Sequence, residues 1–325
     1  MSRRPTIALL SGGISSEREV SLSGGDQVAA ALNPEKYAIR RYDPRDDLPR
    51  LVADAPDIDV ALIILHGPFG EDGTVQGLLD LLNIPYQGAG VLGSALAMNK
   101  LASKRLYGDA GLPVPPYRAV LSGAPLDFAD LGDEIGLPLV VKPGSGGSSI
   151  GMSIVRRADD LEEALRTAFR EDELVLLERF VSGTELTAGV IGNDELESLP
   201  LIEIVPKAQH DFFNYAAKYS AGEAEEICPA RVPEDVAVRV QAMARTAHEA
   251  LFCRGYSRSD FILSEADGEL YLLETNTIPG MTPTSLFPQA ARAAGMEFPD
   301  LLDRLIRLAM TDHAERSRRR PTGRG

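Results

Sequence analysis

Residues 258–286, RSDFILSEADGELYLLETNTIPGMTPTSL, decide how this chain is read. Two apolar-rich stretches of strand length, Ser257–Leu263 and Glu269–Asn276, flank Asp267-Gly268, a hairpin signal. Residues two apart in a strand share a face, so Arg258 goes with Asp260 and Glu274 with Asn276. Whether the two pairs meet depends on the loop. A two-residue Asp-Gly loop sets Asp260 opposite Thr275. A three-residue loop, Ala266-Asp267-Gly268, with Gly268 left-handed at a bulge, sets Asp260 opposite Glu274 and Arg258 opposite Asn276. The second register is the expected one. Scattered charges are ordinarily a solvated face, but these end an apolar run and enter Thr277-Ile278-Pro279-Gly280. An all-oxygen set with few ligands suits magnesium shared with substrate phosphates, which makes Asp260, Glu274 and Asn276 candidate ligands.

The chain has 325 residues, 44% of them hydrophobic, enough for two or three domains. A net charge of −15 disfavours nucleic acid as a partner. The only dense basic run, Arg316 to Arg324, reads as a disordered tail. Cys228 and Cys253 lie in no C-x-x-C pattern and read as free thiols of a reducing compartment. The run Ile7–Leu10 is too short for a signal peptide and no stretch could span a bilayer, so a cytoplasmic protein without membrane contact is expected.

Taken in order, Thr6–Leu10 is an apolar strand broken by Ser11-Gly12-Gly13, with Ser15 or Ser16 capping a helix to about Leu32 and Glu17 in its first turn. There an acid favours the helix dipole or meets a substrate ammonium. Tyr37–Tyr42, Val60–Leu65 and Ile84–Gln87 read as further strands of an open parallel sheet, with His66 and Glu71 at the carboxyl edge where such sheets bind ligands. Near residue 98 the character changes to a helix, Asn99–Ala110, that carries Lys100 and Lys104.

Next, Leu137–Val141 runs into Lys142 and a Gly/Ser loop, residues 143–151, that holds Ser148 and returns as Met152–Val155. Such a loop offers N–H groups and hydroxyls to phosphates, and Lys142 adds a point charge. Glu178-Arg179-Phe180-Val181 lies at a chain crossover, where Glu178 could hold an adenine amine and Glu185 could reach a ribose. Strands are expected at Thr184–Ile191 and Leu196–Val205. Asp211–Tyr219 precedes a small, acidic loop and reads as a lid with Lys218 and Tyr219 at its hinge. A helix from Pro233 should pack behind the hairpin, and Phe298–Met310 closes the chain.

Together Ser11–Gly24, His66–Leu79, Lys142–Gly151, Lys218-Tyr219 and the opening stretch resemble the D-alanine–D-alanine ligase family of the ATP-grasp superfamily, over about residues 6–311. The resemblance implies an α/β plus α+β chain. An N-terminal open parallel α/β substrate-binding domain, 1–98, precedes an ATP-grasp pair of α+β domains, 99–184 and 185–312, and a tail, 313–325. It implies that ATP phosphorylates one D-alanine carboxylate and that the amine of a second attacks the acyl phosphate.

By the same resemblance Asp260, Glu274 and Asn276 hold two magnesium or manganese ions, and Lys100, Lys142 and Lys218 neutralise phosphate. Glu178, Arg179, Val181 and Glu185 would contact the rest of the nucleotide. Arg258 and the Gly280 N–H serve the oxyanion. Glu17 and His66 serve the first D-alanine, and Ser285 and Leu286 the carboxylate of the second. Ser148 and Tyr219, bonded with Glu17, tie down the lid and exclude water. A homodimer and potassium activation are implied on the same grounds.

The chain departs from the family at Asn214 and Ala216, where acids are usual, and at Gly24 and Thr275. Retention of Tyr219 points to a dipeptide rather than an ester product. A ligase with another acceptor would differ at Glu17, Ser148, Tyr219, Ser285 or Leu286, and a catalytically dead regulator would lack the metal set or Arg258.

Overall fold

The computed structural model describes residues 3–125, 128–147, 150–206 and 224–319. The first sheet is parallel, in the order β2-β1-β3, from β1 (Thr6–Leu10), β2 (Ala38–Tyr42) and β3 (Val60–Ile63). Its central strands are buried on both faces, as a parallel sheet covered by helices requires. Ile7, Leu9, Val60 and Leu62 enter one core, and Ala8, Leu10, Ala61 and Ile63 the other. The expected strand at Ile84–Gln87 is only a bridge from Tyr86 to Ala61. There the Gln87 side chain replaces backbone pairing, since its Oε1 accepts the Ile63 N–H at 2.9 Å and its Nε2 donates to the Ile63 carbonyl at 2.8 Å. Helices α1 (Arg18–Ala31), α2 (Leu48–Asp54), α3 (Thr74–Leu81) and α4 (Val91–Met98) complete this part.

Helix α5 (Lys100–Asp109) starts at an Asn99 cap, whose Oδ1 accepts the Ala102 N–H at 2.9 Å. A four-stranded antiparallel sheet follows, in the order β4-β7-β5-β6, from β4 (Tyr117–Leu121), β5 (Leu139–Pro143), β6 (Ser153–Val155) and β7 (Leu174–Arg179). It packs on α6 (Phe128–Ile135) and α7 (Leu161–Ala168) around Val141, Leu165 and Leu177.

The third sheet is also antiparallel, in the order β11-β10-β8-β12-β13 with β9 beside β8. Its strands are β8 (Gly183–Gly192), β9 (Glu197–Ser198), β10 (Ile202–Pro206), β11 (Ala224–Ile227), β12 (Gly255–Ser264) and β13 (Leu270–Asn276). The single strand expected at Leu196–Val205 is split into β9 and β10 around Pro200, which cannot donate to a ladder. Helix α8 (Glu234–Ala250) packs behind the hairpin, with Val240, Ala244 and Ala247 against Leu186 and Phe261. Helices α9 (Leu286–Ala293) and α10 (Phe298–Arg319) bind the third sheet to the first through one core containing Phe287, Leu301, Leu305, Tyr256 and Leu9.

Two boundary expectations need correction. Glu17 is the residue before α1, not part of its first turn, and neither Ser15 nor Ser16 caps that helix. The tail placed at 313 is helical to Arg319, because Arg316 bonds Asp312 at 2.7 Å and His313 meets Asn83 at 3.1 Å. No helix among the described residues is long and apolar enough to cross a membrane.

Candidate functional site

The hairpin places its four polar residues as expected, with Asp260 opposite Glu274 and Arg258 opposite Asn276. The device is different. The loop runs Glu265–Gly268, one residue longer than expected, and Leu263 pairs with Leu270. Alone, that loop would set Asp260 against Leu273. An extra residue in β13 at Leu273, opposite the Asp260–Phe261 step, restores the register. Gly268 is left-handed, with φ 70°.

Asp260 is buried and its carboxylate is saturated. Oδ1 accepts from Arg258 Nε at 2.9 Å and from Thr187 Oγ1 at 2.6 Å. Oδ2 accepts from Arg258 Nη2 at 2.8 Å and from Asn276 Nδ2 at 3.1 Å. The forked pair fixes the guanidinium plane. Asp260, Glu274 and Asn276 fit a hard cation by donor chemistry, once the Asn276 amide turns its oxygen rather than its NH₂ toward the cleft.

Two cavities meet at this face. One, of about 160 Å³, lies between the two antiparallel sheets and is lined by Lys100, Lys142, Glu178, Arg179, Val181, Glu185, Asp260 and Glu274. The other, of about 310 Å³, is lined by Glu17, His66, Glu71, Arg258, Asn276, Gly280, Ser285 and Leu286. A small pocket touching Lys100, Glu71, Glu274 and Asn276 lies between them. The hairpin therefore presents Asp260 and Glu274 to one cavity and Arg258 and Asn276 to the other. Ser148, Lys218 and Tyr219, with Asn214 and Ala216, lie outside the described residues.

On the first side, the pleat of β5 and β7 sets Lys142 beside Glu178, with Nζ 2.8 Å from Oε1. Lys100 Nζ donates to the Gly146 carbonyl at 2.5 Å, which ties α5 to the Gly-rich loop. Burial opposes the Glu178 charge, but Lys104 and Lys142 outweigh it and hold the carboxyl below its ordinary value. Glu178 thus enters the site as the shared counter-ion of two lysines, a role its position at a crossover does not disclose.

On the second side, burial lowers the His66 pKa, Arg258 adds to the effect and Glu17 opposes it, so the imidazole is neutral near pH 7. Glu71 keeps some surface on the cavity but is enclosed by protein, and burial pushes its carboxyl up to about 8. Its Oε2 accepts the Gly67 N–H at 2.6 Å. Ser285 precedes α9, and its Oγ accepts the Thr282 N–H at 3.1 Å. Leu286 is buried at the start of the same helix. Sequence reasoning gave no role to Glu71, Lys104, Thr187 or Glu226. Of these only Lys104 carried a local signal, one helical turn beyond Lys100.

The chain matches a family model for the D-ala D-ala ligase C-terminus over residues 106–307 and one for the N-terminus over residues 48–89. It belongs to the D-alanine–D-alanine ligase family. It is 58% identical over 307 residues to a D-alanine–D-alanine ligase of Syntrophobacter fumaroxidans, covering 94% of this chain and 98% of that one. The enzyme of that name from Desulfotalea psychrophila is 53% identical, with 95% and 96% covered. The crystal structure of the Bacillus anthracis ligase complexed with ATP superposes with a TM-score of 0.84 at 36% identity, over 96% of this chain and 99% of that one. The present chain is thus a ligase of ATP-grasp architecture, with a parallel-sheet domain followed by antiparallel sheets and helices.

Proposed function

We propose that this enzyme joins two D-alanines at the expense of ATP, in the cytoplasm, to supply a peptidoglycan precursor. The observation that carries this reading is the hairpin face shared by two cavities, one lined by lysines and one by acids around Arg258. ATP lies in the first, with its phosphates toward Lys100 and Lys142, joined by Lys218. Arg179, Val181 and Glu178 line its adenine end, and Glu185 serves the ribose.

Asp260, Glu274 and Asn276 are the residues to hold divalent cations, magnesium or manganese. When bound, these supply charge neutralisation to the phosphates. Glu17 takes the ammonium of the first D-alanine, with neutral His66 beside it. The carboxylate of that D-alanine accepts the γ-phosphoryl group of ATP, giving an acyl phosphate and ADP. The carboxylate of the second D-alanine is held at Ser285 and Leu286. Its amine attacks the acyl carbon, and phosphate leaves as the peptide bond forms. Negative charge develops on the carbonyl oxygen in that step. Arg258, fixed by Asp260, and the Gly280 N–H meet it without reorganising. Ser148 and Tyr219 close over Glu17 and keep water from the acyl phosphate.

The partition 1–98, 99–184 and 185–312, a homodimer, and activation by potassium belong to the same reading. The test is phosphate release with ATP and magnesium against D-alanine alone and with D-serine, D-lactate or L-alanine, with products identified by mass. D-alanyl-D-alanine should dominate. Efficient ester formation from D-lactate at neutral pH would overturn the role given to Tyr219, and turnover only with another acceptor would overturn the subsite at Ser285 and Leu286.

A further inference from the structure

Lys104 is a charge buried without an evident duty. Its side chain is 0% exposed, on the face of α5 that also carries Lys100. Its Nζ lies 3.1 Å from Glu178 Oε1, the same oxygen that Lys142 approaches at 2.8 Å. The ammonium also stands 5.6 Å from the centroid of the Tyr117 ring, and Tyr117 pairs with Glu178 across β4 and β7. Among the described residues neither Lys104 Nζ nor Glu178 Oε1 makes an aligned hydrogen bond, so the link is one of charge at short range. Glu178 and Lys142 line the nucleotide cleft, whereas Lys104 stands behind them.

Counting charge gives the inference. Lys142 and Glu178 alone form a neutral pair, with nothing to offer a phosphate. With Lys104 the three groups carry one net positive charge, and only Lys142 of the two lysines reaches the cleft. We propose that Lys104 is a positioning residue of the nucleotide site, which neutralises Glu178 from behind and so leaves the Lys142 charge to the phosphates of ATP. This rests on the placement of ATP proposed above.

The states of the groups agree. Burial lowers the Lys104 pKa to about 8 against the pull of Glu178, while Glu178 stays below its ordinary value, so both are charged near pH 7. A purely structural role would be poorly served by such a group. Burying an ammonium and a carboxylate costs several kcal/mol per ion, and apolar replacements of buried ion pairs are often at least as stable.

The experiment is calorimetric binding of ADP and of adenosine to the full-length enzyme, with steady-state kinetics alongside. The set is wild type, Lys104→Met, Lys104→Arg, Glu178→Gln and the double variant Lys104→Met/Glu178→Gln. Lys104→Met should weaken ADP about tenfold or more. It should raise KM for ATP in step and leave adenosine binding and KM for D-alanine near wild type. Lys104→Arg should recover most of the loss. The double variant, again with one net positive charge, should bind ADP within about threefold of wild type.

ADP binding by Lys104→Met equal to wild type, or a double variant as weak as the single, would overturn the inference. Should Lys104→Met not fold, the double variant decides alone, because a structural role predicts loss where restored charge predicts recovery. A wild type that binds no ADP would instead overturn the placement of ATP itself.

Discussion

The two ends of the site solve opposite electrostatic problems. At the nucleotide end, lysines are held in advance of an anion. Lys142 and Lys104 share Glu178, and Lys100 is tied to the Gly146 carbonyl. At the amino-acid end, Glu17, Glu71 and a neutral His66 surround a cavity whose cation, Arg258, is committed to Asp260. Each end carries the charge its ligand lacks, and Arg258 stands at the seam. A buried acid therefore means different things at the two ends. Glu178 is ionised and compensated, whereas Glu71 is pushed up to about 8 and holds its proton at neutral pH.

The strongest test of that contrast is Arg258→Ala. If the guanidinium serves charge that develops only during acyl transfer, kcat should fall about 10²–10³-fold while ADP affinity changes little. Steady-state kinetics with calorimetric ADP binding would show it, and an equal loss in both would assign Arg258 to the nucleotide end. Glu17→Gln should raise KM for D-alanine by about 10–100-fold and leave KM for ATP alone, since it removes a hydrogen bond to a charged group at one end only.

The two buried acids should also bend stability in opposite directions with pH. A raised carboxyl such as Glu71 contributes stability below its ordinary value of 4.5 and loses it as pH rises through about 8. A lowered one such as Glu178 contributes above 4.5 and loses it as pH falls through its depressed value. Melting curves from pH 4 to 9 should therefore show Glu71→Gln gaining on wild type toward high pH. Glu178→Gln should differ most from wild type at neutral pH and converge with it in acid. Parallel curves would remove the distinction. The smallest effect belongs to Asn99→Ala, which deletes the α5 cap. It should cost about 1 kcal/mol and lower Tm by a few degrees. Because α5 carries Lys100 and Lys104, ADP binding should weaken more than D-alanine binding.

The hairpin shows how far sequence reading went. The facing of Asp260 and Glu274 was legible, because alternation along a strand is a local property. The longer loop and the compensating residue at Leu273 were not, since loop length and bulge enter the register only as a sum. The parallel sheet was legible from apolar runs, but the strand at Ile84–Gln87 shrank to a bridge because a side-chain amide took over its pairing.

The sequence alone determined the elements, their order and the residue types that meet the substrates, because strand and helix periodicities and glycine-rich turns are encoded within a few neighbouring positions. Tertiary structure decided how the charges are shared. That Glu178 balances two lysines, that Lys104 lies behind the site rather than in it, and that Glu71 stays protonated all depend on which distant segments converge and how far they exclude water. The energy of a charge is set by its surroundings, and those exist only once the sheets have packed.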